Sequence, residues 1–105
     1  MIGVLTHHWA KPELFYEADE LLKSDGEAQS RAPGFVNRRT LYSISDNTQI
    51  TSLVIWDDEH IYEQWRSSVE RALAMAGAEN FWAKPPESHR SVSYTHLTLP
   101  TICSV

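Results

Sequence analysis

Cysteine is nearly missing from this 105-residue chain; Cys103 stands alone. A single thiol forms no internal disulfide, so the fold must hold on packing, and a reducing cytoplasmic setting is expected. Cations are also scarce. Nine Lys and Arg face fourteen Asp and Glu, a formal net charge of -5. That balance argues against nucleic acid and against anionic membrane surfaces, both of which reward a basic patch. No apolar run approaches the ~20 residues that cross a bilayer. The first eight residues put no basic segment ahead of their apolar stretch, so no secretion leader is expected. With four glycines there is no Gly-rich phosphate loop. Cys–Cys and His-x-x-x-His metal spacings and a nucleophile elbow are missing too, so nucleotide, flavin-motif and zinc readings have no support.

What is there is ordinary globular material: 42% hydrophobic residues in a length suited to one domain. Residues 2–9 read as a strand, with Ile2, Val4, Thr6 and His8 on one face and Gly3, Leu5, His7 and Trp9 on the other. Neither face is plainly polar, as in a sheet covered on both sides. Pro12 suits a first helical turn. Leu14, Phe15, Ala18, Leu21 and Leu22 form a stripe, and Gly26 reads as the stop of a helix ending near residue 25. Ala32-Pro33-Gly34 is a turn. Strands follow at 35–44 and 49–56, joined by Ser45-Asp46-Asn47-Thr48. Asp57 and Asp58 are N-cap candidates for a second helix over 59–76, whose Ile61, Trp65, Ser68, Ala72 and Met75 form a buried stripe ending at Gly77. Residues 78–90, with Phe81, Trp82, Pro85 and Pro86, read as an irregular segment over the core. The order β-α-β-β-α plus a last strand is a ferredoxin-like α+β domain, an antiparallel sheet with two helices on one face.

Residues 92–101, Val-Ser-Tyr-Thr-His-Leu-Thr-Leu-Pro-Thr, read differently. They resemble one reading frame through a transposase-based sequencing adapter, whose first two bases also complete a serine codon at Ser91. A domain over 1–91 and a non-native tail over 92–105 are therefore expected. On that reading Tyr94, His96 and Cys103 carry no functional weight, and the last native strand, starting near Ser88–Arg90, is mostly lost. A native alternating strand is the other reading of the same residues.

Pro33-Gly34-Phe35 opening a strand, Val54-Ile55-Trp56-Asp57-Asp58-Glu59 and Tyr62-Glu63-Gln64-Trp65-Arg66-Ser67-Ser68 together resemble the antibiotic biosynthesis monooxygenase family over about residues 1–90. The resemblance implies a dimeric α+β barrel, hence a homodimer, with a pocket between the sheet and helices of each subunit. It implies a monooxygenase that needs no metal, flavin or other cofactor and oxidises a small aromatic or quinol-like molecule. A non-catalytic binding or stress-response domain of the same fold is the alternative, and a haem protein a third. Against haem degradation, the helix-two stretch that carries the haem histidine in that branch has Met75 and no histidine, and His7 stands at the strand-one asparagine position.

The candidate chemistry lies in few residues. His7 and His8 are adjacent on a strand and point to opposite faces, so they cannot share a metal. One of them is the candidate proton acceptor; a hydrogen-bonded structural histidine is the alternative. Trp65 could stack on a planar substrate or simply pack the core. Trp9, Phe35 and Met75 are the other candidate substrate contacts. Arg38 and Arg39 also point apart; one is expected to pair with an acid at the dimer seam and the other to be solvated, with anchoring of an anionic substrate as a further role.

Overall fold

The computed structural model describes residues 1–92; the adapter-like reading of the tail falls almost wholly outside them. The elements are β1 (Ile2–Ala10), a 3₁₀ turn (Pro12–Leu14), α1 (Phe15–Ser30), β2 (Phe35–Tyr42), β3 (Gln49–Trp56), α2 (Glu59–Arg66), α3 (Val69–Ala74), a second 3₁₀ turn (Ala78–Asn80) and β4 (Trp82–Val92). The four strands form one antiparallel sheet in the order β2-β3-β1-β4. This is the ferredoxin-like topology expected from the element order.

Strand alternation sorts the side chains. Ile2, Val4, Thr6 and His8 of β1 share a face with their β3 partners Trp56, Val54, Ser52 and Ile50. That face meets the helices, where Ile2, Val4, Val54 and Trp56 close on Trp65. The opposite face carries Leu5, His7, Trp9, Leu53 and Ile55 and, among the described residues, has no helix on it. The hairpin between β2 and β3 closes as the Ser-Asp-Asn-Thr cluster predicts: Asp46 Oδ1 accepts from Thr48 N at 2.9 Å and from Thr48 Oγ1 at 2.6 Å. Asp58 caps α2, accepting from Ile61 N at 2.8 Å.

Three expectations need correction. First, α1 does not stop near residue 25 but runs through Gly26 to Ser30. A Cβ at Gly26 would sit 2.8 Å from Arg38 Nε and 2.9 Å from its Cδ. The glycine therefore makes room for an arginine crossing from the sheet. Second, the second helix is two. Ser67 Oγ donates to Glu63 O at 2.8 Å, and Ser68 turns extended to cap α3 by accepting from Arg71 N at 3.1 Å. The break takes Ala72 out of the buried stripe; it is exposed. Third, 78–90 is not irregular. β4 starts at Trp82 and pairs with β1 from Ala10↔Trp82 to Ile2↔Val92, so the fourth strand is present rather than lost. Its prolines fall where the register shifts between His7 and Trp9, on an edge strand, where a missing N–H breaks no ladder.

The Gly26 contact gives a test. Glycine inside a helix costs about 1 kcal/mol against alanine. In an Arg38→Ala background, Gly26→Ala is expected to recover about that amount in urea unfolding. In the native background it is expected to gain nothing or to destabilise, because the methyl displaces Arg38. Equal gains in both backgrounds would show that the arginine moves aside freely.

Candidate functional site

A cavity of about 400 Å³ lies between the sheet and the helices. β1 and β3 supply its floor through Val4, Thr6, His8, Ser52, Val54 and Trp56. Its roof is Leu22, Asp25 and Gln29 from α1, Trp65 from α2, Arg71 from α3 and Met75 just past its end. Arg38 closes the β2 side, and Ser88 and Arg90 the β4 side.

Trp56 and Trp65 make the aromatic wall. Both are buried, and their rings stack with centroids 6.2 Å apart at 30°. Trp56 Nε1–H is buried and finds no acceptor among the described residues. At the β4 side Arg90 binds Glu59 at 2.8 Å and Glu63 at 2.6 Å, with its guanidinium 4.8 Å above the Tyr62 ring.

His8 is the histidine that faces the helices. It is 8% exposed, lies 4.7 Å from the Trp82 ring, and leaves Nδ1 without a partner among the described residues. Burial, and then the positive charges of Arg38 and Arg71, pull its pKa down to about 4, so the imidazole is neutral at pH 7. His7 lies on the other face, where Nδ1 meets Thr51 Oγ1 at 2.7 Å. Trp9 is there too, under the Lys84 ammonium at 4.0 Å. Phe35 packs edge-on against Trp56 and stays outside the cavity lining. Of the sequence-derived candidates, His8, Trp65 and Met75 line one cavity; His7, Trp9 and Phe35 do not. No imidazole from α2 or α3 faces it: His60 is exposed and meets Gln64 at 3.3 Å.

The part that sequence reasoning missed is polar and buried. Asp25 is 8% exposed and Gln29 5%. Arg38 donates to Gln29 Oε1 at 2.8 Å and to Leu22 O at 3.4 Å, and stands 4.0 Å from Asp25 Oδ2. Arg38 therefore finds its acid on α1 of the same chain, while Arg39 is exposed on the far face. Asp25 Oδ1 has no partner among the described residues. Burial raises the Asp25 pKa against the opposing pull of Arg38 and Arg71. Burial also lowers the Arg38 pKa. A signal for this cluster does exist in the chain. The buried face of α1 runs Ala18, Leu22, Asp25, Gln29, so the apolar stripe continues in register as polar residues.

No family model and no curated protein matches the sequence. Solved structures do match. The chain has the antibiotic biosynthesis monooxygenase fold. One solved antibiotic biosynthesis monooxygenase superposes with a TM-score of 0.80 at 12% identity, over 90% of this chain and 99% of that one. SnoaB, a cofactor-independent oxygenase from Streptomyces nogalater, gives 0.79 at 11% identity over 92% and 96%. A conserved protein from Methanosarcina mazei Go1 gives 0.81 at 22% identity over 89% and 92%. At these identities it is the architecture that is shared. Among the described residues, no helix is long and apolar enough to cross a membrane, and no three His, Cys, Asp or Glu cluster as metal ligands.

Proposed function

We propose that this protein is a cofactor-independent monooxygenase of a small electron-rich phenol or quinol, working as a homodimer. The observation that carries the reading is the cavity of about 400 Å³ walled by Trp56 and Trp65 in a fold that a cofactor-independent oxygenase also has. A flat ring fits against such a wall. The substrate supplies the electrons. For a phenol with a free para position, the phenolate adds dioxygen at that carbon to give a peroxide. Loss of water, made from the outer oxygen and the two hydrogens of the phenol O–H and ring C–H, leaves a quinone.

The protein's share is to bind, to exclude water and to favour the phenolate. Arg38 stabilises that anion directly. His8 is the proton acceptor, being neutral at pH 7 with Nδ1 unpartnered. Burial, then Arg38 and Arg71, make it a weak base with a pKa of about 4; an anion bound beside it opposes the share of the two arginines and raises it. Oxygen uptake with a phenol and quinol panel tests the reading. His8→Ala is expected to lower kcat roughly 100-fold, with His7→Ala close to native. Native rates in both variants would remove the base, and ligand binding without oxygen uptake would leave a non-catalytic binding domain.

The homodimer rests on the uncovered sheet face, where Leu5, Leu53 and Ile55 are only half-buried and Leu41 is 45% exposed. A second copy packed face to face would bury them. Light scattering at the mass of one chain would rule this out.

A further inference from the structure

The chain is acidic overall, but the cavity is not. Arg38, Arg66, Arg71 and Arg90 line it, against the carboxylates of Asp25 in the wall and Glu59 and Glu63 at the β4 side. That leaves one positive charge in excess in a molecule of formal net charge -5. The arginines are unequally engaged. Arg90 holds Glu59 and Glu63, Arg66 reaches Glu63 at 3.6 Å, and Arg38 is held by Gln29 and Asp25. Arg71, half-buried on α3, has no side-chain hydrogen bond or ion pair among the described residues. Its charge nevertheless reaches the buried floor and roof, where it weighs on both His8 and Asp25.

The same cavity holds unmet hydrogen-bonding groups. Trp56 Nε1–H can only donate. His8 Nδ1 and Asp25 Oδ1 are also unpartnered, on residues that are each 8% exposed. Buried polar groups are rarely left so unless something else satisfies them. An uncommitted guanidinium and an N–H without an acceptor call for an anionic, oxygen-rich ligand. The tryptophan wall calls for a flat one.

We propose that the cavity takes an aromatic acid, a phenolic ring bearing a carboxylate, with the carboxylate on the Arg71 guanidinium and the ring against Trp56 and Trp65. This deepens the oxygenase reading by naming the substrate's charge and its anchor. The carboxylate cancels the excess charge. The ring hydroxyl is left for the floor, near His8. Arg71 is a binding residue here and takes no part in the oxygenation.

The test is equilibrium binding of 1-hydroxy-2-naphthoate and its methyl ester, read by tryptophan fluorescence and repeated by calorimetry. The acid is expected to bind roughly tenfold tighter than the ester, the weight of one charge-assisted contact. Arg71→Gln is expected to remove the preference by weakening the acid alone, and Arg71→Lys to retain part of it. Equal binding of acid and ester, equal loss of both in Arg71→Gln, or no saturable binding of the acid overturns the proposal. Oxygen uptake separates the two readings. An Arg71-dependent preference for the acid without turnover sinks the oxygenase and keeps the anchor. Turnover of neutral phenols with no preference for the acid does the reverse.

Discussion

Lowering the pH from about 7 to below 4 is expected to remove about 3 kcal/mol of folding stability through His8 alone. In the unfolded chain this imidazole titrates at its ordinary 6.5, and in the folded protein at about 4. Above pH 6.5 it is neutral in both states and contributes no pH dependence. Between those values the unfolded state binds the proton and the folded state does not, so stability falls as the pH falls. Below 4 both states bind it, and the loss is complete.

The groups around the ring are Arg38 on β2, Arg71 on α3, Asp25 on α1, His7 beside it on β1, and Trp82 on β4. Asp25 works the other way. Its folded pKa is raised, so acidification through it stabilises the fold. The measurement is therefore a difference: urea unfolding of the native protein and of His8→Gln from pH 7.5 to 3.5. The native curve should drop by about 3 kcal/mol more than that of the variant. Parallel curves would mean that water reaches the imidazole and that its neutrality at the cavity floor is not enforced.

Gly34→Ala is the second large effect, an expected loss of about 3 kcal/mol. Gly34 follows Pro33 with φ +80, a conformation that costs an L-residue roughly 1–2 kcal/mol. Independently, a Cβ there would overlap Ile61 Cγ2 and lie 2.8 Å from its Cδ1. Ile61 packs against the core cluster, so the overlap must be relieved by moving α2, at a further 1–3 kcal/mol or so. The Gly34 carbonyl also accepts from Asp57 N at 2.9 Å, tying the turn to the end of β3. In an Ile61→Ala background the cost of Gly34→Ala should shrink to about the backbone share alone. An unchanged cost there would place the whole effect in the backbone.

The sheet was legible because period-two alternation survives in β1 and β3, where every second residue meets the helices. The parity of His7 and His8 followed from the same rule. The Asp58 cap, the Asp46 turn and the Gly77 stop are local chemistry and were readable for that reason. What stayed hidden depends on partners distant in the chain. Gly26 has the form of a helix stop, and only Arg38, twelve positions on, explains why it is internal. Ser68 fits a helical stripe, and Ser67 an unbroken helix, until their hydroxyls are seen bonding backbone. Pro85 and Pro86 argue against a strand unless it lies at an edge. The polar half of the cavity was hidden by the rule that finds cores: a search for apolar stripes passes over Asp25 and Gln29 at the point where they replace leucine in register.

The helix that presents Arg71, with Met75 at its C-cap, has an unusual place in this structure. α3 is six residues long, set off by Ser68 at one end and the left-handed Gly77 near the other, and it buries none of its own residues. The guanidinium that fixes a ligand's charge is thereby separated from the tryptophans, which both wall the cavity and hold the core. Replacing residues 69–76 should cost little cohesion while changing the charge and shape of the cavity roof. A lineage, or a laboratory library, could explore new substrates through that one segment while the tryptophan wall and the histidine floor stay as they are.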